Sequence, residues 1–288
     1  MVDFDYLEPA TVEEACALLE RYGDEAVPIA GGTAVTLWIS QRLLAPGVLV
    51  SLDKISDFGY VRFNEKDGLA IGAGARHRDI EMAPAVRRHY PLLYETFHRV
   101  AQPRIRCMAT IGGNLCVGDP STDPGASLIA LDAEVTLAST RGKRVMRVEE
   151  LFVDYYQTAL EPGELLTEVR VPPPADGAGW SRIKFTPRSE EDVATVGVSV
   201  ALSARNGQCE DIRLALNSVA PIILRVKKAE EVLRGMQVTD ELLSEMGEVA
   251  ATEVDPMDDT RGSPDYKRHL VNVLVSRAAR QALERASG

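Results

Sequence analysis

Ala26-Val27-Pro28-Ile29-Ala30-Gly31-Gly32-Thr33-Ala34-Val35 decides how the chain reads. Residues 26–29 suit a short strand. A double glycine then bends the chain, and Val35, Leu37 and Ile39 lead into a helix that stops before Pro46-Gly47. Further on, Thr110-Ile111-Gly112-Gly113-Asn114 brings a second double glycine. Glycine has no Cβ, so it tolerates positive φ and lets a ligand approach the main chain. Successive exposed N–H groups form a concavity that suits an anion. Two such turns predict a ligand with a pyrophosphate at its centre and parts to grip at both ends. A flavin dinucleotide fits that description.

Outward from the first turn, Thr11-Val12-Glu13-Glu14 is a capping box that opens a helix through Tyr22, with Gly23 ending it. Thr33 is placed to cap the helix after the glycines. Residues 48–52 are a buried-type strand, and a right-handed crossover predicts that it pairs in parallel with residues 26–29. The next stretch changes character. Residues 59–63 and 69–74 read as a hairpin, followed by helical pieces broken at Pro84, Pro91 and Pro103. Residues 135–138 pair with 144–148, and 165–171 alternates as a half-buried strand. This is an α+β region with a mainly antiparallel sheet. Pro172-Pro173-Pro174-Ala175-Asp176-Gly177 reads as a linker. Three strands are expected beyond it (180–185, 193–204, 212–219), then helices at 227–234, at 241–252 and from Pro264. Tyr266, Leu270, Leu274 and Ala278 form the core-facing stripe of the last helix.

With 288 residues the chain has room for about two domains of ~150 residues. A net charge of −11 argues against nucleic acid or an anionic membrane as the main partner. Arg104-Ile105-Arg106 is the best local basic patch, or else a solvated loop. The start, Met1 to Tyr6, does not read as a secretory signal, and no run approaches the ~18 apolar residues of a membrane span. Cys16, Cys107, Cys116 and Cys209 form no CxxC pair, which leaves reduced thiols in a cytoplasmic protein. His77, His89, His98 and His269 lack metal-ligand spacing and read as surface or capping histidines. Neither glycine turn is GxGxxG, Ile71-Gly72-Ala73-Gly74-Ala75 lacks the third glycine, and there is no phosphate loop of the GxxxxGK[ST] type.

Nine residues after Asn114 stands Asp123, in the loop Gly118-Asp119-Pro120-Ser121-Thr122-Asp123-Pro124. It either caps the apolar helix that follows or accepts a sugar-like hydroxyl. At this point the chain resembles the FAD subunits of the molybdenum hydroxylases, the xanthine dehydrogenase and carbon monoxide dehydrogenase group. The resemblance spans essentially the whole chain. It includes the AGGT turn, Ile105-Arg106 running into Ala109-Thr110-Ile111-Gly112-Gly113-Asn114, and Asp123. It continues through Leu165 to Pro172 and into Lys184, Arg188 and Asp192.

The resemblance implies a two-lobed FAD-binding domain of the vanillyl-alcohol oxidase type over 1–176. Its lobes would be a small α/β lobe at about 1–55 and an antiparallel-sheet lobe at 56–176. A C-terminal domain over 177–288 would hold a three-stranded antiparallel sheet with a helix bundle. Ile29, Ala30, Gly31, Gly32, Thr33, Ala34 and Val35 would wrap the FAD pyrophosphate, with Thr110, Ile111, Gly112, Gly113 and Asn114 opposite. Ala101 and Leu166 would line the flavin, Asp123 would hold ribityl or ribose hydroxyls, and Lys184 would reach over from the second domain. No nucleophile or general base is expected here. By the same resemblance, a large partner subunit holds the molybdenum cofactor and a small one holds two [2Fe-2S] clusters, assembled as a dimer of heterotrimers. Electrons would pass through FAD on this chain to an external acceptor. Thr33-Ala34 and Cys107 depart from many relatives, which carry histidine-serine and asparagine there. Two alternatives stay open: a self-sufficient FAD oxidoreductase of the wider fold group, and a flavin-free binding module.

Overall fold

Val48–Ser51 is buried at all of its positions, and the N-terminal lobe is built around it. A computed structural model describes residues 3–286. Met1 and Val2, the start of the stretch read for a signal, lie outside the described residues, as do Ser287 and Gly288. The chain enters through β1 (Asp5–Leu7), α1 (Val12–Tyr22) and β2 (Ala26–Ile29), then α2 (Val35–Ser40) and β3 (Val48–Ser51). β3 lies between β1 and β2 and pairs in parallel with both. Thr11 caps α1 by accepting from Glu14 N, and Glu14 returns its carboxylate to Ala10 N. Thr33 does not cap α2. The chain enters that helix through Ala34, with no side-chain cap.

The second lobe begins with the hairpin β4 (Val61–Asn64) and β5 (Gly68–Gly72). Five short helices follow: α3 (His77–Met82), α4 (Pro84–His89), α5 (Pro91–His98), α6 (Pro103–Arg106) and α7 (Ile111–Cys116). Pro84, Pro91 and Pro103 each stand in the first turn of a helix, where a missing N–H costs nothing. α8 (Asp123–Ala130) is buried along its whole length. After it come β6 (Glu134–Ser139), β7 (Gly142–Arg147), α9 (Val148–Leu151), β8 (Phe152–Asp154), β9 (Gln157–Thr158) and β10 (Leu165–Val171). The antiparallel sheet runs β4-β5-β10-β6-β7, so β10 returns from far along the chain to its centre.

Beyond the proline run, β11 (Ala178–Phe185), β12 (Val196–Arg205) and β13 (Gln208–Asn217) form an antiparallel sheet. A short fourth strand, β14 (Leu224–Arg225), extends the three expected. α10 (Lys227–Leu233), α11 (Asp240–Glu253) and α12 (Pro264–Ala286) complete the chain. α12 lies so close to β11 that a Cβ on Gly179 would strike the Ala282 carbonyl. Leu270, Leu274 and Ala278 face the core as their spacing predicts, but Tyr266 is exposed. Its neighbour Lys267 is buried instead, with Nζ bonded to Asp259 Oδ2 (2.8 Å) and the Met257 carbonyl (2.9 Å).

A buried polar seam joins α8 to the C-terminal sheet. Arg182 Nη2 meets Asp123 Oδ1 at 2.5 Å and Asn217 Oδ1 at 3.0 Å. Lys184 Nζ meets Asp123 Oδ2 at 2.9 Å and the Arg99 carbonyl at 2.8 Å. Thr96, Ser127 and Ser199 form a hydroxyl chain (2.6 and 2.9 Å) that ends on Arg182 Nη1. Burial pushes the Arg182 pKa down, and Asp123 opposes that shift.

Two sequence expectations fail in the second lobe. Arg106 is not part of a surface basic patch. It is buried, with Nε on Glu81 Oε2 (3.2 Å) and Nη1 on the Val100 and Ala101 carbonyls. A guanidinium with this many acceptors satisfies the α6 turn from inside. His77 is not a surface or capping residue either. It is buried against Phe97, with ring centroids 5.2 Å apart, and neither ring nitrogen has a partner among the described residues.

Burial lowers the His77 pKa to about 4, which the Thr110 backbone only partly offsets. The folded imidazole is therefore neutral where the unfolded one takes up a proton. Between about pH 6.5 and pH 4 the unfolded state binds more protons, so stability falls as pH falls through that window. From about pH 8 to about pH 5 the loss from this one group is about 2 kcal/mol. His77→Leu is expected to remove that share of the acid slope in urea unfolding. An unchanged slope would show that the ring is not the source.

Candidate functional site

The end of β2 delivers the chain to the first glycine turn. Gly31 must be glycine, because a Cβ there would run into the Met108 carbonyl across the gap between the lobes. Gly32 has φ +69°, the left-handed region that glycine enters freely. The Gly32 carbonyl accepts from Thr36 N (2.9 Å) and Thr36 Oγ1 (2.7 Å), and the Ala34 carbonyl accepts from Trp38 N (2.9 Å). These two carbonyls are thus satisfied while the donors of the turn are not. The N–H groups of Gly31, Gly32, Thr33 and Ala34 have no acceptor among the described residues.

The second turn behaves differently, and here the sequence reading needs correction. Its amides are not bare. Ile111 N donates to the Ala75 carbonyl (3.0 Å), Gly112 N to the Ala73 carbonyl (2.9 Å) and Asn114 N to the Thr110 carbonyl (2.9 Å). Gly113 N donates to Thr110 Oγ1 (3.2 Å), the N-cap of α7. Gly112 is glycine for packing, since a Cβ would stand 2.7 Å from that of Ala73. Gly113 is exposed, and a Cβ there would meet only Thr110 Oγ1, at 2.9 Å. What this turn offers instead is a side chain. Asn114 Oδ1 is buried with no hydrogen-bond partner among the described residues.

The two turns face each other across a cleft of about 390 Å3, within the ~300–1,000 Å3 of small-molecule sites. Ala30, Gly31, Gly32, Thr33, Ala34, Val35, Thr110, Gly112, Gly113, Asn114 and Leu166 line it, as the sequence places them. Five expected residues do not line it. Ile29 packs toward Gly32, and Ile111 is wholly buried. Ala101 has φ +42° and gives its carbonyl to Arg106 at 2.7 Å. Asp123 and Lys184 are committed to the polar seam. Thr122, which adjoins Asp123, does line the cleft.

Sequence reasoning missed several walls of the cleft. Trp38 and Leu52 come from the first lobe, and Phe58, Ala73, Asp119 and Leu165 from the second. Leu165 carried a signal, since it neighbours Leu166 in an apolar pair. Phe58 and Ala73 carried none, because they reach the cleft only through the pairing of β5 with β10. Cys116 lines the cleft too, but burial pushes its thiol up to about 12, so it is no nucleophile at neutral pH. No cluster of three or more metal-ligating side chains exists among the described residues. The cleft therefore offers a row of anion-binding donors, one buried acceptor and apolar walls. That donor set fits a dinucleotide with a pyrophosphate centre.

Comparison with known proteins gives the same picture. Residues 2–174 match the FAD binding domain in molybdopterin dehydrogenase, and residues 181–282 match the CO dehydrogenase flavoprotein C-terminal domain. The carbon monoxide dehydrogenase medium chain of Hydrogenophaga pseudoflava is 33% identical over 99% of this chain and 98% of its own. The nicotine 6-hydroxylase medium subunit of Paenarthrobacter nicotinovorans is 33% identical over 96% of each. Among solved structures, reconstituted CO dehydrogenase from Oligotropha carboxidovorans superposes with a TM-score of 0.94 at 33% identity, over 98% of each chain. Quinoline 2-oxidoreductase from Pseudomonas putida 86 superposes with a TM-score of 0.92 at 28% identity, over 99% of each. With both halves of the chain matched in order, it belongs to the FAD-binding subunits of the molybdopterin dehydrogenases, of the carbon monoxide dehydrogenase medium-chain type, and is the FAD subunit of a multi-subunit oxidoreductase.

Proposed function

We propose that this chain holds FAD in the cleft between its lobes and relays electrons from [2Fe-2S] clusters of a small partner subunit to an external acceptor. A large partner subunit would hold the molybdenum cofactor and the substrate. The observation that carries this reading is the row of unpaired amides at Gly31–Ala34 facing the unpartnered Asn114 Oδ1. Bound FAD supplies the redox chemistry, and the chain binds, orients and tunes it. The amides take the pyrophosphate charge, Asn114 accepts a hydroxyl or ring N–H, and Leu166 gives an apolar face. Ile29 and Ile111 act from behind by holding the two turns in place. Ala101 does the same through its contact with Arg106.

Asp123, Arg182 and Lys184 form a buried group with a net charge of +1, next to Thr122 at the wall of the cleft. In this reading Asp123 and Lys184 act through that charge, which favours a flavin that has gained negative charge. Relatives named for carbon monoxide, nicotine and quinoline match this chain over nearly its whole length. We therefore assign substrate recognition to another polypeptide. By the same kinship we place the complex in the cytoplasm as a dimer of heterotrimers. The four unpaired cysteines agree with a reducing compartment. We divide the chain at 176/177, with the first domain's lobes meeting near 55/56. The two family matches support the division at 176/177, as do two hydrophobic cores, of which the first also takes in Ala215 and Ile223 at the domain contact.

The full chain is expected to take up one FAD and, alone, to turn over no substrate of the complex. Substrate turnover by the isolated chain would favour a self-sufficient oxidase instead. Gly113→Val adds bulk on the cleft side of α7 and is expected to abolish flavin retention in a folded chain. Gly31→Ala acts differently: it forces the lobes apart and lowers stability by about 1–3 kcal/mol. Full retention in Gly113→Val would move the site elsewhere. Lys184→Met removes the net positive charge and is expected to lower the flavin midpoint potential. A potential equal to wild type would remove Lys184 from the tuning role.

A further inference from the structure

We propose that Trp38 is the platform for the adenine ring of FAD, held in place by Tyr156 from the opposite lobe, so that this cleft selects the dinucleotide over the mononucleotide. The inference rests on FAD occupying the cleft. Trp38 lines that cleft and lies on α2 one helical turn beyond Ala34, the last of the unpaired amides, with its N–H on the Ala34 carbonyl at 2.9 Å. One turn is a rise of about 5.4 Å. That suits the short ribose link between pyrophosphate and adenine better than the longer ribityl link to the flavin ring.

The indole does not stand free. Tyr156 approaches it edge-on from the β8–β9 turn of the second lobe, with ring centroids 6.3 Å apart and planes at 78°. Tyr156 is 58% exposed and has φ +54°, a left-handed backbone that a bulky residue rarely adopts. Its N–H is fixed on the Gly118 carbonyl at 3.0 Å, and a Cβ on Gly118 would press on the Tyr156–Gln157 backbone. A strained, exposed aromatic that is held this firmly has a task to do. Its T-shaped contact with Trp38 ties the two lobes together beside the cleft and restrains the indole, leaving the ring available to a base. Asp119, in the same loop as Gly118, lines the cleft too. Its Oδ1 accepts from Ser121 N at 2.8 Å, and its Oδ2 has no partner among the described residues. That oxygen is an acceptor for a ribose hydroxyl. A flat π-face beside one anionic acceptor is the chemistry of an adenosine site.

The test compares FAD, FMN and ADP on the full chain. Trp38→Ala is expected to weaken FAD about tenfold or more and to leave FMN unchanged, since only FAD carries the base. Trp38→Phe, which keeps a π-face, restores most of the loss. Tyr156→Ala gives the same FAD-only loss to a smaller degree. In a Trp180→Phe background Trp38 is the one remaining tryptophan, and ADP, which has no flavin, should quench its emission. Equal losses for FAD and FMN, unchanged FAD affinity in Trp38→Ala, or no quenching by ADP would each overturn the adenine assignment while the cofactor reading stands. A wild-type chain that takes up no FAD would overturn both, and that result is read before any variant is made.

Discussion

The structure depends on one buried carboxylate shared between two cations. Asp123 opens α8, and its two oxygens go to Arg182 and Lys184 on β11. Removing three charged groups from water is unfavourable, and their attraction compensates only when the remaining hydrogen-bonding capacity is filled. It is filled here by Asn217, Ser199 and the Arg99 carbonyl. Loss of Asp123 would leave two buried cations uncompensated, typically about 3–5 kcal/mol. The cluster therefore fixes where the C-terminal sheet sits on α8. It also fixes the loop before α8, because Asn217 Nδ2 reaches the Ser121 carbonyl and Ser218 N the Pro120 carbonyl. Asp119 and Thr122 of that loop form one wall of the cleft. Domain docking and the shape of the cleft are one arrangement seen from two sides.

The double glycines look alike in sequence but serve different physical needs. At Gly112 the absence of a Cβ lets α7 lie against the strand end at Ala73, and the helix consumes its own amides. At Gly31 it lets the first lobe touch the Met108 carbonyl of the second, while the turn leaves its donors open. One pair seats a helix, and the other brings the lobes to contact distance while leaving its amides open. A cleft with donors on one wall and an unpartnered acceptor, Asn114 Oδ1, on the other suits an extended ligand with both kinds of group.

Local signals carried much of the fold. The Thr11 cap, the prolines that start helices, the parallel β2–β3 pair and the Pro264 start all follow from neighbours in the chain. The walls of the cleft were legible where backbone chemistry dictates residue type, as at Gly31 to Ala34. What escaped reading depends on distant pairing. Phe58 and Ala73 reach the cleft only because β10 inserts between β5 and β6. His77 and Arg106 look like surface residues by type. Their burial is decided by Phe97, Glu81 and the carbonyls of residues 100 and 101, which no periodicity reveals. Tyr266 fits its stripe by spacing. Lys267 displaced it because Asp259 and the Met257 carbonyl lie within reach of a long ammonium stem.

The same packing also ties up several titratable groups. Several groups that could act as acids, bases or nucleophiles are neutralised where they stand. Burial keeps Cys116 a thiol and His77 an uncharged imidazole, and ion pairs occupy Asp123, Glu81 and Lys184. Hydrogen bonds from His98 and Arg78, with the charges of Arg106 and Arg78, outweigh the burial that would raise Glu81 and hold its pKa below the usual carboxylate range. A fixed array of dipoles and one net charge can set a potential without reorganising when an electron arrives. An array with free protons to exchange would couple each electron to solvent. A scaffold that buries and pairs titratable groups beside a turn of open amides suits a redox group that must be held steady.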